Sequence, residues 1–145
     1  MIQWLQRFFR IGIVDAGARG EARAAEWLRR EKGFAVVARN WRSPRDRREE
    51  IDLVCRDGEV LVFVEVKART AGALVPGYFA VNERKKRVLR RAIDAYLKRL
   101  ATRPRTFRFD VVEILHGGGD GGDEKMEVLH FENVPLFSKG YRRGG

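Results

Sequence analysis

Residues Glu49 to Lys67 read E-E-I-D-L-V-C-R-D-G-E-V-L-V-F-V-E-V-K. Asp57-Gly58 near the middle is a two-residue turn signal, because a type I′ turn needs positive φ at both central positions. About that turn, Arg56 pairs with Glu59, Cys55 with Val60, Asp52 with Phe63 and Glu50 with Glu65. Opposed residues share a face and each strand alternates faces. One face is then apolar, with Ile51, Leu53, Cys55, Val60, Val62, Val64 and Val66. The other carries Glu50, Asp52, Val54, Leu61, Phe63, Glu65 and Lys67. Asp52 and Glu65 are diagonal neighbours in this register, with Cα atoms about 7–8 Å apart.

Like charges opposed across a sheet destabilise it. The carboxylates of Glu50, Asp52 and Glu65 therefore call for a cation between them. Mg²⁺ suits such a site, since it takes oxygen ligands from one or two carboxylates and keeps several waters for substrate phosphate to replace. Lys67, two residues beyond Glu65 on the same face, can hold the attacking water and offset charge on phosphate. An E-x-K tripeptide alone would read equally well as a solvated surface. The full D-x₁₂-E-x-K on one hairpin face, partly covered by Leu61 and Phe63, favours chemistry.

A further acid comes from another segment. Gly20 to Lys32 predicts a helix ending at Gly33. Ala24, Ala25 and Leu28 form its apolar stripe, and Glu21 falls in the middle of that stripe. A carboxylate on a core-facing stripe is costly unless it is paired or metal-bound. Glu21 could instead favour the helix dipole and point to water; the hairpin acids tip the reading toward a shared site.

The runs G-x-x-G-E-x-x-A at Gly17 to Ala24, E-I-D-L-V at Glu50, V-F-V-E-V-K-A-R at Val62, and R-F-D-V-V at Arg108 resemble the YraN-like family of endonuclease-like proteins. The resemblance covers roughly residues 16 to 135. That family is similar in turn to archaeal Holliday junction resolvases and the PD-(D/E)xK nucleases. The resemblance implies catalytic roles for Glu21, Asp52, Glu65 and Lys67. It implies Mg²⁺ or Mn²⁺ on Asp52 and Glu65, with Glu21 and Val66 in the metal set and Glu50 at its margin. Glycine is usual in the family where this chain has Glu49. A restriction-endonuclease-like αβββαβ core is also implied, an α/β fold with a mixed central sheet flanked by helices.

The remaining segments have the same order of elements. Phe34 to Trp41 alternates as a strand, Glu83 to about Ala101 has helical apolar spacing after an Asn82 N-cap, and Phe107 to Leu115 and Met126 to Phe131 read as strands. Gly72 to Ala80 reads as a loop, and the glycine-rich run His116 to Asp123 as a flexible hairpin connector.

Over 145 residues the net charge is +10, a balance that favours polyanions, above all nucleic acid. One basic cluster comprises Arg39, Arg42, Arg45, Arg47 and Arg48; another comprises Arg84, Lys85, Lys86, Arg87, Arg90 and Arg91. With Arg69, these suit contact with phosphates rather than base reading. Nothing in the sequence resembles a base-reading helix-turn-helix or zinc finger. The one cysteine, Cys55, excludes an internal disulfide, and its apolar face makes it a buried thiol. His116 and His130 lack metal-ligand spacing.

A single domain over 16–137 is expected, preceded by an apolar and basic arm at 1–15 and followed by a basic, disordered tail at 138–145. No run is long and apolar enough to span a membrane, and a cytoplasmic location is the default expectation. The expected activity is a metal-dependent endonuclease on DNA, with branched DNA a candidate substrate and a homodimer suggested only by analogy with junction resolvases. The alternatives are a nucleic-acid-binding accessory protein with a weak or idle site, and an interaction module built on the arm and the basic surface.

Overall fold

The structure, a computed structural model, describes residues 18–70, 83–117 and 126–137. The N-terminal arm, the Gly72–Ala80 loop, the Asn82 cap, most of the glycine-rich connector and the C-terminal tail lie outside the described residues. Helix α1 runs through residues 18–32. Strands β1 (Ala35–Arg42), β2 (Glu50–Asp57) and β3 (Val60–Thr70) follow, then helix α2 (Glu83–Arg99) and strands β4 (Phe107–His116) and β5 (Met126–Phe131).

The strands form one sheet in the order β1-β2-β3-β4-β5. β3 and β4 are parallel, and the other neighbours are antiparallel. This is the expected mixed sheet with helices on its faces. β3 is apolar on both sides, with Val60, Val62, Val64 and Val66 on one and Leu61 and Phe63 on the other, because both sides are covered. Ala24, Ala25 and Leu28 of α1 pack on Leu53, Cys55, Val62, Val64, Val112 and Ile114. Leu89, Ala92, Ile93, Tyr96 and Leu97 of α2 pack on the opposite face with Val54, Leu61, Phe63, Phe109 and Val111. α1 ends as expected: Gly33 has φ +70°, and the Phe34 amide donates back to the Leu28 carbonyl at 3.1 Å.

The hairpin differs from its expected register. Asp57 pairs with Val60, so the turn residues are Gly58 and Glu59. Gly58 has φ +59°, and Glu59 is not among the positive-φ residues. One positive φ, at the first central position, is the signature of a type II′ turn rather than type I′. The register therefore slips by two residues. An even slip leaves face assignments intact, but it sets Asp52 across from Glu65 instead of diagonal to it.

Ile51 also departs from expectation. It lies in the α2-side core, whereas Leu53 lies in the α1-side core. Strict alternation fails between them because the strand turns at Asp52. Two observations mark that turn. The β2–β3 pairing stops at Leu53 and Val64 although both strands continue. Across β2's other edge, Asn40 has φ +48° and is skipped in a ladder that pairs Arg39 with Leu53 and Trp41 with Ile51.

Candidate active site

Where β2 parts from β3, the sheet leaves a gap lined by acids. Glu65 is 4% exposed, and a carboxylate that buried needs positive partners. Two lysines supply them. Lys67 Nζ stands 3.4 Å and Lys85 Nζ 3.5 Å from Glu65 Oε1. The first comes from the same strand and the second from the opening turn of α2. Glu65 Oε2 is buried with no hydrogen-bond partner.

Asp52 lies beside Glu65. The Val66 amide donates to Asp52 Oδ2 at 2.8 Å. Burial pushes the Asp52 carboxyl up to about 8, with the Glu65 charge as the second cause and the Glu21 charge adding to it; the Val66 amide opposes them. In the metal-free protein Asp52 thus keeps a proton near neutrality, which it can share with its acidic neighbours. Glu21 arrives from α1, hydrogen-bonded to Asn40 and Asp52. Its carboxyl is also raised, first by burial and then by the charges of Glu50 and Glu65, against the lowering effect of those hydrogen bonds. Glu21, Asp52 and Glu65, predicted from separate segments, are brought together.

Glu50 stands at the edge of this group. It pairs with Arg42 at 3.2 Å, both side chains being well exposed. Val66 contributes its amide to Asp52. Arg45, Arg47 and Arg48 are exposed on the loop between β1 and β2, where Arg48 grips Asp46 at 3.0 Å. Arg84 is exposed on α2, and Lys86 pairs with Glu83 at 3.7 Å. The loop and α2 face each other across a cleft of about 450 Å³ that includes Arg48, Arg84, Lys85, Arg87 and Arg91. Arg69 is directed elsewhere: it lies 3.5 Å from Glu113, a side chain 2% exposed.

Sequence reasoning missed several residues. Asn40 holds Glu21 and takes a left-handed conformation in which asparagine is enriched; an asparagine inside an otherwise alternating strand was the available signal. Glu113 is buried opposite Lys67 on β4. Asp110, fully buried, receives Arg108 Nε at 3.0 Å, the Asn133 amide at 2.9 Å and a contact from His130 Nε2 at 2.8 Å. Burial pushes its carboxyl up, but the hydrogen bonds from His130, Arg108 and Asn133 together hold it below the usual range. His130 and Arg108 therefore bind β4, β5 and the hairpin together, since Arg108 also reaches Asp57 at 3.0 Å. Cys55 is buried as expected, and burial pushes its thiol up to about 12; such a thiol is a poor nucleophile.

Among the described residues, no three His, Cys, Asp or Glu side chains are arranged as a metal-ligand group. The paired acids still fit Mg²⁺ or Mn²⁺ chemistry. Such an ion needs only one or two carboxylates, and the partnerless Glu65 Oε2 beside Asp52 is an available oxygen donor. No helix among the described residues is long and apolar enough to cross a membrane.

Residues 20–114 match the family described as "Uncharacterised protein family UPF0102". A UPF0102 protein of Anaeromyxobacter dehalogenans is 48% identical over 110 residues, covering 75% of this chain and 78% of the relative. One from Symbiobacterium thermophilum is 46% identical over 105 residues, covering 72% and 85%. One from Porphyromonas gingivalis is 36% identical over 130 residues, covering 89% and 90%. The matched span contains Glu21, Asp52, Glu65, Lys67 and Asp110, so the acidic gap and the buried Asp110 network both lie within it.

Proposed function

The chain belongs to the UPF0102 (YraN-like) family, and from that premise we propose that it is a metal-dependent endonuclease of the PD-(D/E)xK type that hydrolyses DNA phosphodiester bonds. One observation carries this reading: buried Glu65 is held between Lys67 and Lys85 with Asp52 alongside, at a break in the sheet. A purely structural sheet has no use for acids concentrated where its own hydrogen bonding stops.

Asp52 and Glu65 would hold the ion, with Glu21 in reach. A bound Mg²⁺ or Mn²⁺ would neutralise these acids, lower the pKa of a water and stabilise charge on the phosphoryl group. Lys67, tethered by Glu65, orients the attacking water and places an ammonium against the developing charge. Lys85 and the arginines of the adjoining cleft hold the backbone phosphates, which positions a substrate without reading its sequence. Asn40 and the Val66 amide keep Glu21 and Asp52 aimed at the gap.

The test is cleavage of labelled linear, flapped and branched DNA with Mg²⁺ and with Mn²⁺. Asp52→Ala and Glu65→Ala should each reduce cutting by about 100-fold or more, while binding in chelator is largely retained. A doubly substituted protein that cuts as fast as wild type would sink the proposal.

A second reading is a nucleic-acid-binding accessory protein with an idle site. The ammonium groups of Lys67 and Lys85, which already neutralise Glu65, favour it. Salt-sensitive binding with no cutting of any substrate would select this reading.

A further inference from the structure

The cleft between the β1–β2 loop and α2 contains a feature that phosphate binding leaves unexplained. Most of its charged lining is basic, yet Asp46 and Glu49 are also part of the wall; Asp46 is taken up by Arg48 at 3.0 Å, and Glu49 is not. Glu49 is 5% exposed, and its Oε2 has no hydrogen-bond partner. A buried acceptor left unsatisfied costs about 1–3 kcal/mol. The loop holds it in place nonetheless. The Glu49 amide donates to the Asp46 carbonyl at 3.0 Å, and the Ser43 amide donates to the Glu49 carbonyl at 2.9 Å.

A bare phosphate is attracted by Arg84 and Arg91 but repelled by Glu49. A group carrying both an anion and a hydrogen-bond donor satisfies the whole wall. A nucleotide is such a group. Its phosphate pairs with guanidinium groups, its base stacks on their planes, and its amino group donates to a carboxylate. The volume of about 450 Å³ lies in the range of roughly 300–1,000 Å³ typical of ligand pockets. The cleft also adjoins the acidic gap, because Lys85 lines the one and contacts Glu65 in the other.

We propose that this cleft takes one unpaired nucleotide of the substrate, with its phosphate on the arginines and the amino group of its base on Glu49. The inference rests on the nuclease reading and deepens it. The substrate is DNA with an unpaired nucleotide near the bond to be cut, and Glu49 is a specificity residue rather than a metal ligand.

The experiment measures binding of the full chain, in chelator, to three labelled duplexes. One has a single unpaired cytosine, one an abasic site at that position, and one is fully paired. The readout is the ratio of the abasic Kd to the cytosine Kd, in which the general effect of net charge on phosphate affinity cancels. Wild type should give a ratio of about 10, the worth of a hydrogen bond to a charged acceptor. Glu49→Ala should lower it to the smaller ratio that stacking alone gives, and Glu49→Gln, which preserves side-chain volume, to a value between the two. A wild-type ratio of one with salt-sensitive binding overturns the nucleotide pocket and leaves the nuclease reading standing. An unchanged ratio in both Glu49 variants overturns it as well. Absence of salt-sensitive binding to all three duplexes overturns both.

Discussion

The Val66 amide donates to the carboxylate of Asp52 at 2.8 Å, just beyond the last β2–β3 backbone pair, Leu53 with Val64. The side chain thus supplies the acceptor that a continued ladder would have supplied, and a buried amide is not left unpaired. The same bond fixes Asp52 beside Glu65. The sheet break and the acidic site are consequently one feature, and substitutions at the break should be read in stability as well as activity.

Asp52→Asn should stabilise the metal-free protein at neutral pH. The Asp52 carboxyl is raised from an ordinary 3.8 to about 8 in the fold. A raised group favours the fold fully below the unfolded value and loses that contribution as pH rises through the folded value. Wild type should therefore lose stability between about pH 4 and pH 8, and the variant should lose less. A gain of about 1 kcal/mol shifts the melting midpoint by roughly 3 °C in a chain of this size. Added Mg²⁺ should raise the wild-type midpoint more than that of the variant. Thermal melts across this range, with and without Mg²⁺, are the check; a variant less stable than wild type at pH 8 would contradict the assignment.

Asn40 should tolerate glycine better than valine. Its φ of +48° disfavours β-branched side chains by about 1–2 kcal/mol. Asn40→Gly keeps the backbone but releases Glu21, so it should melt within roughly 1 kcal/mol of wild type while cutting DNA more slowly. Asn40→Val should lose both stability and cutting. Equal stability of the two variants would show that the left-handed conformation carries no strain.

Asp110→Asn should destabilise the fold by about 3 kcal/mol at neutral pH, because it removes the buried charge that Arg108 and His130 face. Asp110 is held below its ordinary value. Its contribution is present above the unfolded pKa and is lost as pH falls through the folded one. The gap between wild type and variant should accordingly narrow below about pH 4. Denaturant midpoints at neutral and acidic pH measure this, and a gap independent of pH would assign the effect to packing alone.

Much of the architecture was legible in the chain itself. The helical stripe of Ala24, Ala25 and Leu28, the two-sided apolar run of β3 and the apolar spacing of α2 declare their elements, because periodicity follows from local backbone geometry. Glu65 and Lys67, two residues apart on β3, share a face in any register, and Asp52 stays beside Glu65 even though the turn lies one residue later than expected. A register slip of two moves partners without exchanging faces.

Tertiary structure decided what local rules cannot reach. Glu21 meets Asp52 only because α1 packs across the sheet, and Lys85 meets Glu65 only because α2 covers the other face. Ile51 left its expected face because β2 turns at the end of its pairing with β3. Glu49, in sequence merely an acid next to Glu50, became a buried acceptor in a basic cleft when the loop closed against α2. The sequence determined which side chains carry charge and with what period. Long-range packing determined which of those charges lose their water, and burial is what turns a carboxylate from a surface group into one that needs a partner.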